Sequence, residues 1–415
     1  MRLRICLLAV LICAMCLSGC VFPLQRVSPD PLILESDAPE DSDSAVYTLP
    51  DLEPAPASSE NSSSSSSASL SEISEPKLAV FWYAMADAHV FDLREAFHPV
   101  LDASEIPYRE YDAENDRYRQ LDQVSEAVSG GWNVLAIQMV SGDAKAMDEI
   151  IDAAGGCPVI FFDRTPEPEQ FSSASGAPGN CCMIHTDPAE AGRVQGRMIG
   201  EFLISHFTAA DLNQDGQIRY TFLVGDVDDL DALVLTHSAL EEANALLAEN
   251  GYRELSYLDE DNSIGFQADP SGTWSSDAGH SLILSDLSYY NYANSNMIEL
   301  IAANNDDMAL GALTALQSAW CNLGDGNVVT IPLFGLGASA AARSAVNLGQ
   351  MTGTVDLNAA GYAEAVLSAV HGLTDGVTPE SVFSELSAAS EEFTCAAGTP
   401  RILNVVPRAV LAPGL

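Results

Sequence analysis

From Asp211 to Gln217 the chain reads Asp-Leu-Asn-Gln-Asp-Gly-Gln. Asp211, Asn213 and Asp215 thereby occupy the first, third and fifth positions, Gly216 the sixth, and the Gln217 carbonyl the seventh. Hard oxygen donors at that spacing follow the loop scheme of EF-hand calcium sites, in which the glycine permits the sharp turn. Only nine residues fit, so the bidentate acid of the twelfth position has to come from elsewhere in the chain. The ninth position holds Arg219, a fixed cation with no acceptor atom. Either water fills that ligand position or the site is weakened, and the same residues also suit an Asx-type turn that holds no metal.

Other chemistries leave weaker traces. Phe334-Gly335-Leu336-Gly337-Ala338-Ser339-Ala340 superficially imitates a dinucleotide fingerprint, but it lies late in the chain and not at a first strand–helix unit. Acid pairs such as Asp87 and Asp231 would suit a glycosidase, yet nothing in the sequence sets their separation, and solvated surface acids are the default reading. There is no nucleophile elbow, zinc helix or phosphate loop. The expectation is a binding protein, not an enzyme.

The elements that position these residues follow from apolar periodicity. Short β-rich apolar runs occur at 78–83, 134–140, 158–163, 183–186, 220–225, 254–258, 298–303, 328–335, 351–355 and 402–406. Helical periods lie between them, including 90–101, 191–206, 232–249 and 308–320. Strands apolar on both faces, alternating with helices, imply doubly wound parallel sheets covered by helices, the α/β class. From residue 77 onward the body exceeds one comfortable α/β core, so two lobes are expected. Ligands of such sheets sit beyond the carboxyl ends of strands, which makes polar residues just after strands the candidates for binding.

Several segments in one order carry a family resemblance across almost the whole body. Besides Asp211–Ile218, they are Glu299-Leu300-Ile301-Ala302-Ala303-Asn304-Asn305-Asp306, Tyr83 with Asp87, Leu135-Ala136-Ile137, Val159-Ile160-Phe161-Phe162, Thr186-Asp187, Met308-Ala309-Leu310-Gly311 and Gly353-Thr354-Val355. In these the chain resembles the galactose/glucose-binding family of periplasmic sugar receptors. The resemblance implies a type I periplasmic-binding-protein fold, two doubly wound lobes joined by three crossings and closing on a sugar. The expected first lobe is 77–186 plus about 358–393, and the second 187–357 plus about 394–415.

The resemblance also implies roles. Asp87 accepts from sugar hydroxyls, although it also suits the N-cap of the helix that follows. Trp274 aligns with the stacking tryptophan, and Asp231 and Asn305 with ligand positions of the second lobe, though Asn305 also suits a local cap. Gln138 stands where the family has an asparagine, and His89 where an aromatic ring stacks. Glu299 aligns with the acid that completes a structural calcium site made with Asp211, Asn213, Asp215 and Gln217; at position nine, where Arg219 stands, the family presents a neutral amide oxygen. Leu235 takes the place of an arginine, Gly337 of an acid and Asp229 of a histidine, and the family's late asparagine aligns with Leu357 or Asn358. With those polar partners changed, neither glucose nor galactose is implied as the ligand.

The N-terminus and composition decide the surroundings. Arg2 and Arg4 flank an apolar stretch from Ile5 to Leu17 that is too short to span a bilayer, the pattern of a secretory signal at 1–19. It ends in Leu17-Ser18-Gly19-Cys20, which resembles the bacterial lipobox and implies that Cys20 is lipidated and becomes the first residue of the mature chain. Residues 20–76 are rich in Ser, Pro and acids and read as a disordered tether, with a typical reach of about 40 Å. The protein is therefore expected outside the cytoplasm, anchored to the bacterial cell membrane through lipid alone.

Lys and Arg total 17 against 59 Asp and Glu, a net charge of −42, which opposes nucleic-acid binding. Expected partners are a monosaccharide-like ligand and either an ABC permease or a sensory membrane protein, with the receptor itself a monomer. Of nine cysteines, Cys157, Cys181, Cys182, Cys321 and Cys395 remain beyond the signal and Cys20. Five is odd, so at least one thiol stays free, and buried thiols fit better than a pairing of Cys157 with Cys181 or Cys182.

Overall fold

Strand β1 (Leu78–Trp82) is buried at every residue, as are β3 (Val134–Ile137) and β4 (Val159–Phe162). Strands that are apolar on both faces must be covered on both faces, and this dictates the layered arrangement seen in the computed structural model. The structure describes residues 72–413, apart from 172–177, 260, 295, 325, 327–328 and 396–397. The proposed signal, Cys20 and nearly all of the tether lie outside the described residues.

The first sheet has the order β12-β13-β5-β4-β3-β1-β2. It adds β2 (Tyr108–Asp112), β5 (Cys181–His185), β12 (Phe393–Cys395) and β13 (Ile402–Val405) to the strands above. All neighbours are parallel except β12 and β13. Helices α1 (Ala88–Ala103), α2 (Arg117–Ser129) and α3 (Ala144–Ala154) follow β1, β2 and β3. On one face Trp82, Phe97 and Phe162 meet with ring centroids 5.3 Å apart.

The second sheet runs β14-β11-β10-β9-β6-β7, with β8 also on β6. Its strands are β6 (Arg219–Val224), β7 (Ser256–Tyr257), β8 (Gln267–Ala268), β9 (Leu300–Ala303), β10 (Leu333–Leu336), β11 (Gly353–Asp356) and the antiparallel edge β14 (Arg408–Leu411). Around it lie α4 (Pro188–Ala210), α5 (Leu230–Glu249), α6 (Ser276–Tyr289), α7 (Asp306–Ser318) and α8 (Ala340–Asn347). Helices α9 (Ala359–Thr374) and α10 (Pro379–Ala389) return to the first lobe.

The chain crosses between lobes after β5, after β11 and after β13. Thr186 ties the crossings together: its hydroxyl donates to the Val405 carbonyl at 3.2 Å and pairs with the Tyr362 hydroxyl at 2.9 Å. The sequence placed the chain from about 394 onward in the second lobe, whereas the structure puts the end of β12 and all of β13 in the first. Ile402 pairs with Met183 of β5, and Ile402, Leu403 and Val405 are buried there. Only after Val405 does the chain leave to form β14.

Two features fix where the cleft-facing ends of helices lie. Aspartates cap them: Asp87, Asp143, Asp187 and Asp229 each accept backbone N–H groups at the start of a helix, which satisfies orphan donors and favours the helix dipole. Glycines draw helices together. On α4, Gly192 and Gly196 face α5 so closely that a β-carbon there would lie 2.3 Å from the Leu235 carbonyl oxygen and 2.2 Å from that of Ala239. Helix α5 is thereby held by backbone contact with its first turn at the end of β6.

Candidate functional site

On the first-lobe wall, the residues following β1, β3 and β4 form one hydrogen-bonded group. Asp163, immediately after β4, has a left-handed backbone (φ 57°). Its carboxylate accepts from Gln138 Nε2 at 2.6 Å and meets His89 Nε2 at 2.9 Å. The Gln138 side-chain oxygen accepts from the Tyr83 amide at 3.2 Å. Burial works against a charge on His89, but the Asp163 carboxylate outweighs it and raises the imidazole to about 9. The same pairing holds Asp163 below its ordinary value despite burial. At neutral pH these two are an ion pair.

Asp87 caps α1 through Oδ1, which accepts from the His89 and Val90 amides at 2.8 and 3.2 Å, while Oδ2 accepts from the Tyr83 hydroxyl. The capping role and the cleft position therefore coincide in one residue. The Arg164 guanidinium lies over the Tyr83 ring, 4.4 Å from its centroid. Gln138 differs from expectation: it is fully buried and both ends of its amide are used within the wall, so it sits behind Asp163 and not at the surface. The short strand β3 ends one residue before it, and the Gln138 side-chain oxygen takes the Tyr83 amide just past the end of β1.

The second-lobe wall is built around Trp274. Its ring lies flat against Gly225 at the end of β6, where a β-carbon would come within 1.9 Å of the indole. The tryptophan backbone is left-handed (φ 56°), a strained state for a bulky residue. Surrounding bonds enforce it: Asp269 accepts from the Ser271 and Thr273 amides at 2.9 and 2.7 Å, and Asn305 Nδ2 donates to the Trp274 carbonyl at 2.8 Å. The other end of the Asn305 amide caps α7 through the Met308 amide at 2.9 Å. Both ends are occupied, so Asn305 places the tryptophan.

Asp231 lies in the first turn of α5, beside this group, where Asn304 Nδ2 holds the Ala232 carbonyl at 3.1 Å. Among the described residues its side chain makes no hydrogen bond. Its surface is open to solvent, yet protein on both sides of the cleft displaces much of its hydration. That desolvation, followed by the negative charges of Asp229, Glu167 and Asp187 and opposed by Arg164, raises its carboxyl to about 6. Glu167 and Arg164 belong to the first lobe, so Asp231 senses both walls. Asp307 does likewise: burial and then Asp87 and Asp92 push it up.

Departures from the family pattern also have places. Leu235 is buried against α4 and contributes to the core. Gly337, with φ 124°, lies over the buried carboxylate of Asp306, which is engaged by Thr354 and Ser339 at 2.6 Å each. Asn358 caps α9 and bonds Glu392 at 3.2 Å. Sequence reasoning missed Asp163, Arg164 and Asp307. The first two were detectable, because they directly follow an apolar strand.

The Asp211 loop is far from these walls, at the opposite end of β6. Asp211 accepts from the amides of Asp215 and Gly216 at 3.1 and 3.0 Å, Asn213 from Asp215 at 3.0 Å, and Asp215 from Gln217 at 2.9 Å. Glu299, fully buried, meets the loop as expected. Its Oε1 accepts from the Leu212 and Asn213 amides at 2.7 and 3.1 Å, and Oε2 from the Arg219 amide at 2.9 Å. Arg219 Nη1 donates to Asp215 Oδ2 at 2.5 Å, and despite its partial burial Asp215 is held below its ordinary value by that contact. Among the described residues, no three His, Cys, Asp or Glu side chains converge as a metal-binding group. The five cysteines are free thiols, with Cys181 and Cys182 buried in β5.

Two doubly wound lobes linked by three crossings, with polar and aromatic groups gathered at the strand ends that face each other, define a two-lobed solute-binding protein. Residues 78–377 match the model of the periplasmic binding protein domain family. The chain belongs to that family, one of solute-binding proteins and not enzymes, whose members work outside the cytoplasm. It is 31% identical over 267 residues, 64% of this chain and 71% of the relative, to the D-galactose/methyl-galactoside binding periplasmic protein MglB of Haemophilus influenzae. A putative rhizopine-binding protein of Rhizobium meliloti is 22% identical, over 65% of this chain and 74% of that protein. In fold it is similar to an ABC transporter periplasmic solute binding protein from Actinobacillus succinogenes with bound D-allose. The TM-score is 0.58 at 17% identity, covering 81% of this chain and 98% of that one.

Proposed function

We propose that this protein is a lipid-anchored extracytoplasmic receptor that binds a sugar between its lobes and delivers it to an ABC importer. The observation that carries the reading is the Trp274 ring, laid against Gly225 and held in a strained backbone at the mouth of the second sheet. An indole fixed at that cost offers a flat face for the apolar C–H patch of a sugar ring. Asp231 supplies an unengaged acceptor for hydroxyls from the second-lobe wall. Asp87 Oδ2, which accepts only from Tyr83, keeps one lone pair for a hydroxyl on the opposite wall, with His89 and Arg164 as nearby cations. The name of the Haemophilus relative, which matches along most of the folded body, supports the sugar class. Lipidation of Cys20 and the tether that follows it supply the anchor.

Charge narrows the ligand. Asp307 feels the negative charges of Asp87 and Asp92 from the opposite wall, and Asp231 those of Asp229, Glu167 and Asp187, so an anionic sugar would be repelled and a neutral or amino-substituted one accepted. A thermal-shift panel of neutral sugars, polyols, amino sugars and uronic acids tests this. We expect stabilisation by a neutral or amino sugar and none by uronic acids. A panel in which no sugar raises the melting temperature would sink the reading.

A further inference from the structure

The loop from Asp211 to Arg219 has the calcium spacing, but its oxygens and its one cation are arranged in another way. A bidentate carboxylate ligand must turn both oxygens to the metal. Both oxygens of Glu299 are turned instead to three backbone amides, those of Leu212, Asn213 and Arg219. The free oxygen of Asp215 is taken by the Arg219 guanidinium, whose side chain is only 16% exposed, with Asn213 Nδ2 at 3.2 Å from the same oxygen. An arginine cannot lose its proton and cannot ligate a metal. Placed against Asp215, it adds to the loop the positive charge that a cation would otherwise bring, and it repels a second one.

We propose that Arg219 replaces calcium in this protein: the loop is closed by an internal guanidinium and an amide-filled Glu299, so fold and ligand binding are independent of divalent metal. The ninth residue of the loop is thus the switch between a metal-closed and a self-closed form. Its chemistry explains why the same spacing can be kept without the ion. Asp211, Asn213 and Asp215 still organise the turn, because each accepts loop amides whether or not an ion is present.

Thermal melts of the full mature protein with 1 mM calcium chloride or with excess EDTA test the proposal, using wild type, Arg219→Gln and Arg219→Lys. Wild type should melt at the same temperature under both conditions. Arg219→Gln, which removes the cation and presents an amide oxygen, should melt about 2–5 °C lower in EDTA and recover when calcium is added. Arg219→Lys should stay closer to wild type and remain indifferent to calcium. A rise of the wild-type melting temperature in calcium, or an Arg219→Gln melt unchanged in EDTA, would overturn the proposal. Should Arg219→Gln not fold, terbium luminescence of wild type decides: no sensitised emission from Tyr220 is expected, and emission that calcium competes away would defeat the idea. The test does not use a sugar, so it can fail while the sugar-receptor reading stands.

Discussion

On the first-lobe wall of the cleft, the polar side chains of the candidate site are already satisfied: Asp163 by His89 and Gln138, Asp87 by Tyr83 and two amides. On the second-lobe wall, the side chains of Asp231 and Asp307 make no hydrogen bond among the described residues, and Trp274 presents a ring held from behind. One wall is preorganised by its own partners, and the other keeps groups whose missing partners a ligand would supply. A division of this kind suits a protein that closes on its ligand. The rigid wall sets geometry at little entropic cost, while the unsatisfied wall gains hydrogen bonds only when the lobes meet around a guest.

The comparison is most directly broken at Asp163. Asp163→Asn leaves His89 without its counter-charge. Asp163 is largely buried but the His89 side chain is 35% exposed, so the loss should destabilise the fold by about 2 kcal/mol, measured by denaturant unfolding. His89 is raised above its unfolded value, so its contribution is whole below pH 6.5 and fades as pH rises through about 9. The variant should lose that alkaline dependence. If Asp163→Asn instead left stability intact and abolished binding, the first wall would be a ligand surface and not a preorganised support.

Trp274→Ala tests the second wall. Affinity for the best ligand of the panel should fall about thirtyfold or more, near 2 kcal/mol, with a smaller effect on stability than Asp163→Asn. Calorimetric titration reads this, and a variant that binds as well as wild type would remove the stacking role.

The smallest expected effect belongs to Asp231. With its carboxyl at about 6, the acceptor is lost as pH falls, so wild-type affinity should be constant above pH 7 and about tenfold weaker at pH 5. Asp231→Asn should bind more weakly at pH 7 and show no such slope. For the ligand-free protein the sign is opposite: a raised carboxyl binds more protons when folded, so stability declines as pH rises from about 4 to 6.

Some strands were invisible to pattern reading for a physical reason. β2, Tyr-Arg-Glu-Tyr-Asp, is an edge strand, and edges carry charge that blocks further pairing. β14 is likewise an edge, and the buried β13 was recognised as a strand but assigned to the wrong lobe, because a run of apolar residues does not state which sheet it joins. By contrast, β1, β3, β4 and β9 were legible, since central strands are apolar on both faces.

What the sequence determined by itself is the class of the fold, the family, and the residues placed after strands: Asp87, His89, Asp231, Trp274 and Asn305. Each follows from local pattern or from an ordered set of motifs. The tertiary structure decided what those residues touch. It put Gln138 behind the wall, gave Asn305 to the tryptophan carbonyl, made Leu235 a core residue, and joined Arg219 to Asp215 in a loop that spacing had left open between a calcium site and a metal-free turn. Spacing is a property of the chain, but a side chain's partner depends on which atoms distant segments bring within hydrogen-bonding distance, and only the packed lobes fix that.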